Sequence, residues 1–381
     1  MIPLFELIDR NFFDHYNSNN LVEITWTRSN EKDFLCLARC YKESANAVFR
    51  EVIYGEKDNG KYDDWFLAAA FSMRQAIELV LKAAVCKKGG NREIQECFQG
   101  DKHDLLKILQ RCKGLHDDSV PSDRWSWLEG FCSSTSRWDS DSDLLRYPIK
   151  AGSGELSKHF AIDIVGTANL LNQAYELAEG LYGGLIDRCP LDQIMPSDFL
   201  SFTGNGLNNC VINASKLSGR YYATADGFAG MAYCLMEGCV ELRVEEKALP
   251  ILFCLRHAIE VSLKHLGCKR GVLGAKGNFG HSLEKLWKPS EEKLRVIAGE
   301  SGWDVSLLDV ASKQIRELGN IDKKGYLFRY PCSKSQEYEF IDKKIDLRSI
   351  YEYQMGLYSF LDGCNGCLDQ EFELESEWRS F

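Results

Sequence analysis

The chain has 381 residues, 45% hydrophobic and 27% charged, a balance that excludes disordered and fibrous classes and leaves room for two domains of ordinary size. A net charge of −10 argues against gripping nucleic acid through bulk electrostatics, although a local basic cleft stays compatible with it. No apolar run approaches the roughly 20 residues of a membrane span, and the opening MIPLFELIDRNFFDH carries acids where a secretory signal needs an apolar core, so cytoplasmic location and reduced cysteines are expected.

Residues 1–30 read as a short leader. Apolar residues at helical spacing from Phe34 to Val52 predict a helix over about 31–52. The next helix runs from about Asp64 to Cys86 and stops at Lys87-Lys88-Gly89-Gly90, basic residues followed by glycine. Helices near His103 and over about 123–132 follow. TSRWDSDSDLLRYPIKAGSG reads as loop, because a residue before proline is pushed out of helical geometry. A long helix over about 161–181 closes a first bundle spanning 31–184.

Residues 185–222 read as a connector with little helical period. A second bundle over 223–364 has helices at about 227–244 and 249–266. Short helices begin at His281, Ser290 and about Val305, and a last one runs over about 346–361. The acidic tail 365–381 alternates acids with Phe372, Leu374 and Trp378, and is expected to fray. The glycines at 271, 274, 277 and 280 read as flexibility. Cys364-Asn-Gly-Cys367 has the spacing of a metal knuckle without a second pair, so no metal is assigned.

The two bundles repeat one pattern. Arg74, Glu78 and Lys82 in MRQAIELVLKAA answer to Arg256, Glu260 and Lys264 in LRHAIEVSLKHL. His103 and His281 each open a leucine-rich helix. Asp139 precedes Arg146-Tyr147-Pro148 as Asp322 precedes Arg329-Tyr330-Pro331, and Asp163 and Asp346 follow. The numbers differ by 182, 182, 182, 178, 183, 183 and 183, which indicates a duplicated unit.

Within each unit Arg, Glu and Lys at i, i+4 and i+8 share one stripe of an otherwise apolar helix. Charges placed there need partners. One reading is a buried ion-pair network that fastens the Arg-Tyr-Pro loop to the central helix, with Asp139 and Asp163 as its acids. The other is a cradle of Arg, Lys and His for phosphate. His116, His159, His257 and His265 read as surface or packing residues; His257 stands where the first unit has Gln75, which argues against a shared role. No nucleophile elbow, phosphate-binding glycine loop or HExxH motif is present.

Arg-x-Ala-Ile-Glu-x-x-Leu-Lys, then His-x-Leu-x-x-Leu (with Ile108 at its last position in the first copy), then Arg-Tyr-Pro resembles the HEPN superfamily over residues 65–165 and 248–348. The resemblance implies an all-α protein of two tandem HEPN-like helical bundles arranged as a pseudo-two-fold dimer. It implies a prokaryotic defence or stress role, with RNA or a nucleotide bound and RNA cut without metal or cofactor. His103 and His281 would then move protons, and Arg74, Lys82, Arg146, Arg256, Lys264 and Arg329 would hold phosphate. Glu78, Glu260, Asp139, Asp322, Asp163 and Asp346 would support them. A protein partner or a homodimer is also implied. HEPN ribonucleases carry Arg-x4–6-His on one helix of each copy. Arg111 and His116 fit that spacing across a glycine, and Arg10 and His15 fit it outside the repeats, but the second copy has no equivalent. The alternative is a non-catalytic scaffold whose repeated clusters lock the bundles.

Overall fold

The structure, a computed structural model, describes residues 2–14, 18–115, 123–147, 160–204, 206–212, 217–238, 242–268, 280–302 and 304–378. Among them the protein is mostly helical, as expected of an all-α chain. The first five helices are α1 (Asn30–Tyr54), α2 (Phe66–Glu96), α3 (Leu105–Gly114), α4 (Asp123–Asp139) and α5 (Ile164–Gly183). The next five are α6 (Leu217–Glu237), α7 (Val244–Cys268), α8 (Leu283–Ser301), α9 (Ser306–Ile321) and α10 (Leu347–Trp378). No helix among the described residues is long and apolar enough to cross a membrane.

α2 and α7 are central because they are apolar on every side. From Ala68 to Cys86, and from Ala248 to Gly267, every residue is buried. The stop at Gly89-Gly90 is a kink: Gly90 takes φ +68°, which only glycine adopts freely, and the helix resumes to Glu96. α8 is one helix with Pro289 inside it, where the sequence pattern predicts two short ones. α10 runs on through Cys364 and Cys367, and its backbone stays helical to Trp378, well past the expected end near 361.

Five short strands among the described residues are not legible in the sequence, since two to four residues give too little alternation to detect. β2 (Phe160–Ile162) pairs antiparallel with β3 (Phe202–Thr203) and β4 (Cys210–Ile212), so the connector supplies two strands of a sheet. β1 (Leu21–Ile24) pairs antiparallel with β5 (Lys343–Asp346), Leu21 opposite Asp346. The N-terminal segment lies along the second half: Gln314 Nε2 donates to the Ile8 carbonyl at 2.8 Å, and the Phe12 amide donates to Glu317 at 3.0 Å.

Asp163 caps α5, its Oδ1 accepting from the Val165 and Gly166 amides at 3.1 Å. Asp346 accepts from the Ser349 amide at 3.2 Å at the start of α10. These two acids hold helix ends, not the central stripe.

A crossed pair of carboxylate–histidine clusters

Glu78 is fully buried on α2 and anchors the first cluster. Its Oε1 accepts from Lys82 Nζ at 2.7 Å and lies 3.0 Å from His103 Nδ1, while Arg74 Nη1 bonds its Oε2. Arg74 spends its other donors on Asp139 Oδ2 at 3.0 Å and on the His103 carbonyl at 2.5 Å. The second cluster repeats this around Glu260. Lys264 Nζ lies at 2.7 Å, His281 Nδ1 at 2.9 Å and Arg256 Nη1 at 3.0 Å, and Arg256 Nη2 donates to the His281 carbonyl at 3.0 Å. It is slightly looser, with Arg256 Nε 3.8 Å from Asp322. Burial alone would push the Glu78 carboxyl up, but Lys82, His103 and Arg74 overcome it and hold the group well below the usual carboxylate range. Glu260 is held down in the same way, against burial, by His281, Lys264 and Arg256.

Asp139 and Asp322 tie each loop to its own helix. Asp139 Oδ1 accepts from the Asp143 and Leu144 amides at 2.7 and 2.8 Å, and Asp322 Oδ1 accepts from Gly325 and Tyr326 at 2.8 and 3.2 Å. The turn needs a left-handed residue, supplied by Ser142 at φ 61° and Gly325 at φ 71°.

The tyrosine of each loop crosses to the other half. Tyr330 donates to Glu78 Oε1 at 2.7 Å and sits 3.0 Å from His103 Nδ1; Tyr147 donates to Glu260 Oε1 at 3.0 Å and sits 3.5 Å from His281 Nδ1. Lys82 lies over the Tyr330 ring and Lys264 over the Tyr147 ring. The equivalent residues Phe71 and Phe253 meet with ring centroids 5.3 Å apart. The preceding arginines are read across the same seam: Gln75 Nε2 donates to the Arg329 carbonyl at 3.1 Å, and His257 Nε2 is 3.0 Å from the Arg146 carbonyl. Gln75 and His257 therefore share a role, which corrects the expectation that they do not. Both side chains can present a donor at that point. His265 packs on Tyr221, as a packing residue should.

His103 and His281 are 28% and 44% exposed, the parts of the two clusters that reach solvent. Both line one cavity of about 230 Å³. Lys82, Lys102, Arg146, Lys324, Arg329 and Lys334 line it too, and no carboxylate does among its described residues. Glu78 can only accept, so His103 Nδ1 carries a proton, and Nε2 has no hydrogen-bond partner among the described residues. Burial outweighs the pull of Glu78 and lowers the imidazole to about 4, so it is neutral near pH 7 with a free lone pair. Burial, and then Arg146 nearby, also lower the Arg329 guanidinium from its ordinary value.

Arg74 and Arg256 do not reach this cavity. Both are buried, with donors bonded inside the clusters. Lys264 is also buried against Glu260. Arg111 lies apart, clasped by Asp101 at 2.5 Å, Glu93 at 2.8 Å and Glu96 at 3.3 Å. Arg10 is buried and 3.6 Å from Glu352. His15, His116, Pro148, His159 and the glycines at 271, 274 and 277 lie outside the described residues. Comparison with protein-family models, with curated proteins and with solved structures gives no match for this chain.

Proposed function

We propose that this is a tandem HEPN-like protein whose two halves pack as a pseudo-two-fold dimer and whose shared basic cleft binds RNA or a nucleotide. The observation that carries the reading is the cavity itself. A chain of net charge −10 gathers six cationic side chains and one histidine from each half around a single space with no carboxylate in its described lining. Such a space favours a polyanion, and His103, backed by Glu78, has the form of a general base. In RNA cleavage, His103 Nε2 takes the proton of a 2′-hydroxyl as that oxygen attacks phosphorus. His281 returns a proton to the departing 5′-oxygen, leaving a cyclic phosphate. The cellular setting implied by the resemblance is a prokaryotic defence or stress system.

A second reading is a scaffold without chemistry. It is favoured by one observation: Arg74, Glu78, Arg256 and Glu260 are almost wholly buried and bonded to each other and to their loops. The two readings separate with His103→Gln and His281→Gln, measured for binding and cleavage of single-stranded RNA. In the RNA reading the double variant stays folded, with a melting temperature lowered by no more than a few degrees, and loses cleavage. Binding should weaken on the order of tenfold between about 50 and about 200 mM salt if about three phosphates are engaged. A wild-type chain that neither binds nor cuts RNA or a nucleotide leaves the scaffold reading standing.

A further inference from the structure

The two copies match closely in what holds them together and differ in the charge of their loops. At the offset of 183, Asp139, Leu144, Arg146 and Tyr147 answer to Asp322, Leu327, Arg329 and Tyr330. Between these fixed points the chemistry changes sign. Ser140, Asp141 and Asp143 of the first loop stand where the second has Lys323, Lys324 and Tyr326.

The change decides the fate of two equivalent guanidiniums. Arg146 is neutralised by its own loop: Nη2 donates to Asp143 Oδ1 at 2.6 Å, and Nε donates to the Ser142 carbonyl at 2.6 Å. Arg329 has Tyr326 at the position of Asp143, and that phenol turns away to donate to Glu339 at 3.1 Å. Its Nε and Nη2 are left with neutral oxygens: Gln75 Oε1 at 3.2 and 2.8 Å, Ser142 Oγ at 3.4 Å and the Tyr330 hydroxyl at 3.3 Å. Nη1 has no partner among the described residues, and no carboxylate there pairs with Arg329. The side chain is 3% exposed and lines the cavity beside Lys324. Phe71 and Phe253 rings lie 5.4 and 5.8 Å from its charged carbon, which gives a surface for the cation but no counter-charge. A buried cation without an acid is costly unless something outside the chain supplies the negative charge.

We infer that the duplicated site has become one-sided: Arg329, with Lys324 and Lys334 around it, seats a phosphate dianion, and Arg146 does not because Asp143 already occupies it. The inference rests on the cleft reading above and adds which copy holds the ligand and why. The seat suits a phosphomonoester or a terminal phosphate, since two cations besides Arg329 face the same space and a dianion uses them better than a single charge.

Calorimetric titration of the full chain with inorganic pyrophosphate tests it. Wild type takes one pyrophosphate per chain. Tyr326→Asp places in the second loop the acid that the first loop has, at a partly exposed position, and weakens binding at least tenfold. Arg329→Met does the same. Asp143→Asn frees the second guanidinium and raises the number of sites toward two. Weakening by Arg146→Met equal to that by Arg329→Met, with Tyr326→Asp silent, overturns the one-sided seat and leaves the cleft reading intact. So does a wild type that binds single-stranded RNA but no pyrophosphate. A wild type that binds neither removes both.

Discussion

The Tyr330 hydroxyl donates to the Glu78 carboxylate across 252 positions of sequence, and Tyr147 repeats the bond to Glu260 in the opposite direction. Each cluster is therefore built by one half and closed by the other. A carboxylate that already accepts from lysine, arginine and histidine gains a fourth donor there, next to the imidazole that reaches solvent. The crossing couples the packing of the two halves to the position of each imidazole.

Removing either phenol tests that coupling. Tyr330→Phe and Tyr147→Phe each delete one hydrogen bond to a charged acceptor and should cost about 1.5–3 kcal/mol in urea unfolding. The Tyr330 bond is the shorter, at 2.7 Å against 3.0 Å, so its loss should be the larger. Because the two tyrosines close separate clusters, the double variant should show nearly additive losses. A loss of nothing from either would mean that the crossing is incidental to how the halves hold together.

Glu78 and His103 touch and should behave oppositely. Glu78→Gln leaves Arg74 and Lys82 buried without their shared anion, a change expected to cost about 3–5 kcal/mol. His103→Gln sits at the edge of the cleft, keeps a donor for Glu78, and should cost on the order of 1 kcal/mol. Thermal melts of the two variants side by side read the difference. A large loss from His103→Gln would make the imidazole part of the structural network and weaken its assignment as a base.

The helix order and the stripe of Arg, Glu and Lys are legible in the sequence, because both follow from 3.6-residue periodicity. The constant offset alone pairs Asp139 with Asp322 and Arg146 with Arg329. The partner of each loop is not legible in the same way. Sequence position says that Tyr330 follows Asp322, and it carries no information on whether the phenol folds back on α7 or reaches across to α2. The shared role of Gln75 and His257 is hidden because different residue types supply the same donor. The exchange of Asp143 for Tyr326 lies in plain view at the same offset, but it gains meaning only when both arginines stand on one cavity.

The depressed histidine gives a pH signature. In the unfolded chain His103 titrates near its ordinary 6.5; in the folded protein burial lowers it to about 4. Between these values the unfolded state binds more protons, so this group's contribution is fully present above pH 6.5 and is lost as pH falls toward 4. The loss is at most about 3 kcal/mol. Asp64, pushed up to about 8 by burial and by Asp226, works in the opposite direction, losing stability as pH rises above the ordinary aspartate range. The comparison that isolates His103 is therefore wild type minus His103→Gln, by chemical denaturation from pH 4 to pH 7. The difference should fall on acidification and change sign, because the loss of up to about 3 kcal/mol exceeds the roughly 1 kcal/mol that the substitution costs near neutral pH. A difference independent of pH would show that the imidazole titrates alike in both states.

The left-handed turn of each loop makes the last test. Gly325 holds φ 71°, where a side chain is strained, and a Cβ there would stand 3.3 Å from Glu260 Oε2 and 3.6 Å from His281 Cβ. Gly325→Ala should thus cost about 1–2 kcal/mol, from backbone strain and from pressure on the Glu260–His281 pair. Ser142 occupies the same conformation at φ 61° with a side chain in place. Ser142→Gly relieves that strain but frees the unfolded chain and removes the hydroxyl that Arg329 Nη2 meets at 3.4 Å, so it should change stability by less than about 1 kcal/mol. Melting temperatures of the two single variants give the ordering. If alanine at 325 is tolerated as well as glycine at 142, the turn adapts freely and does not set the distance between the second loop and His281.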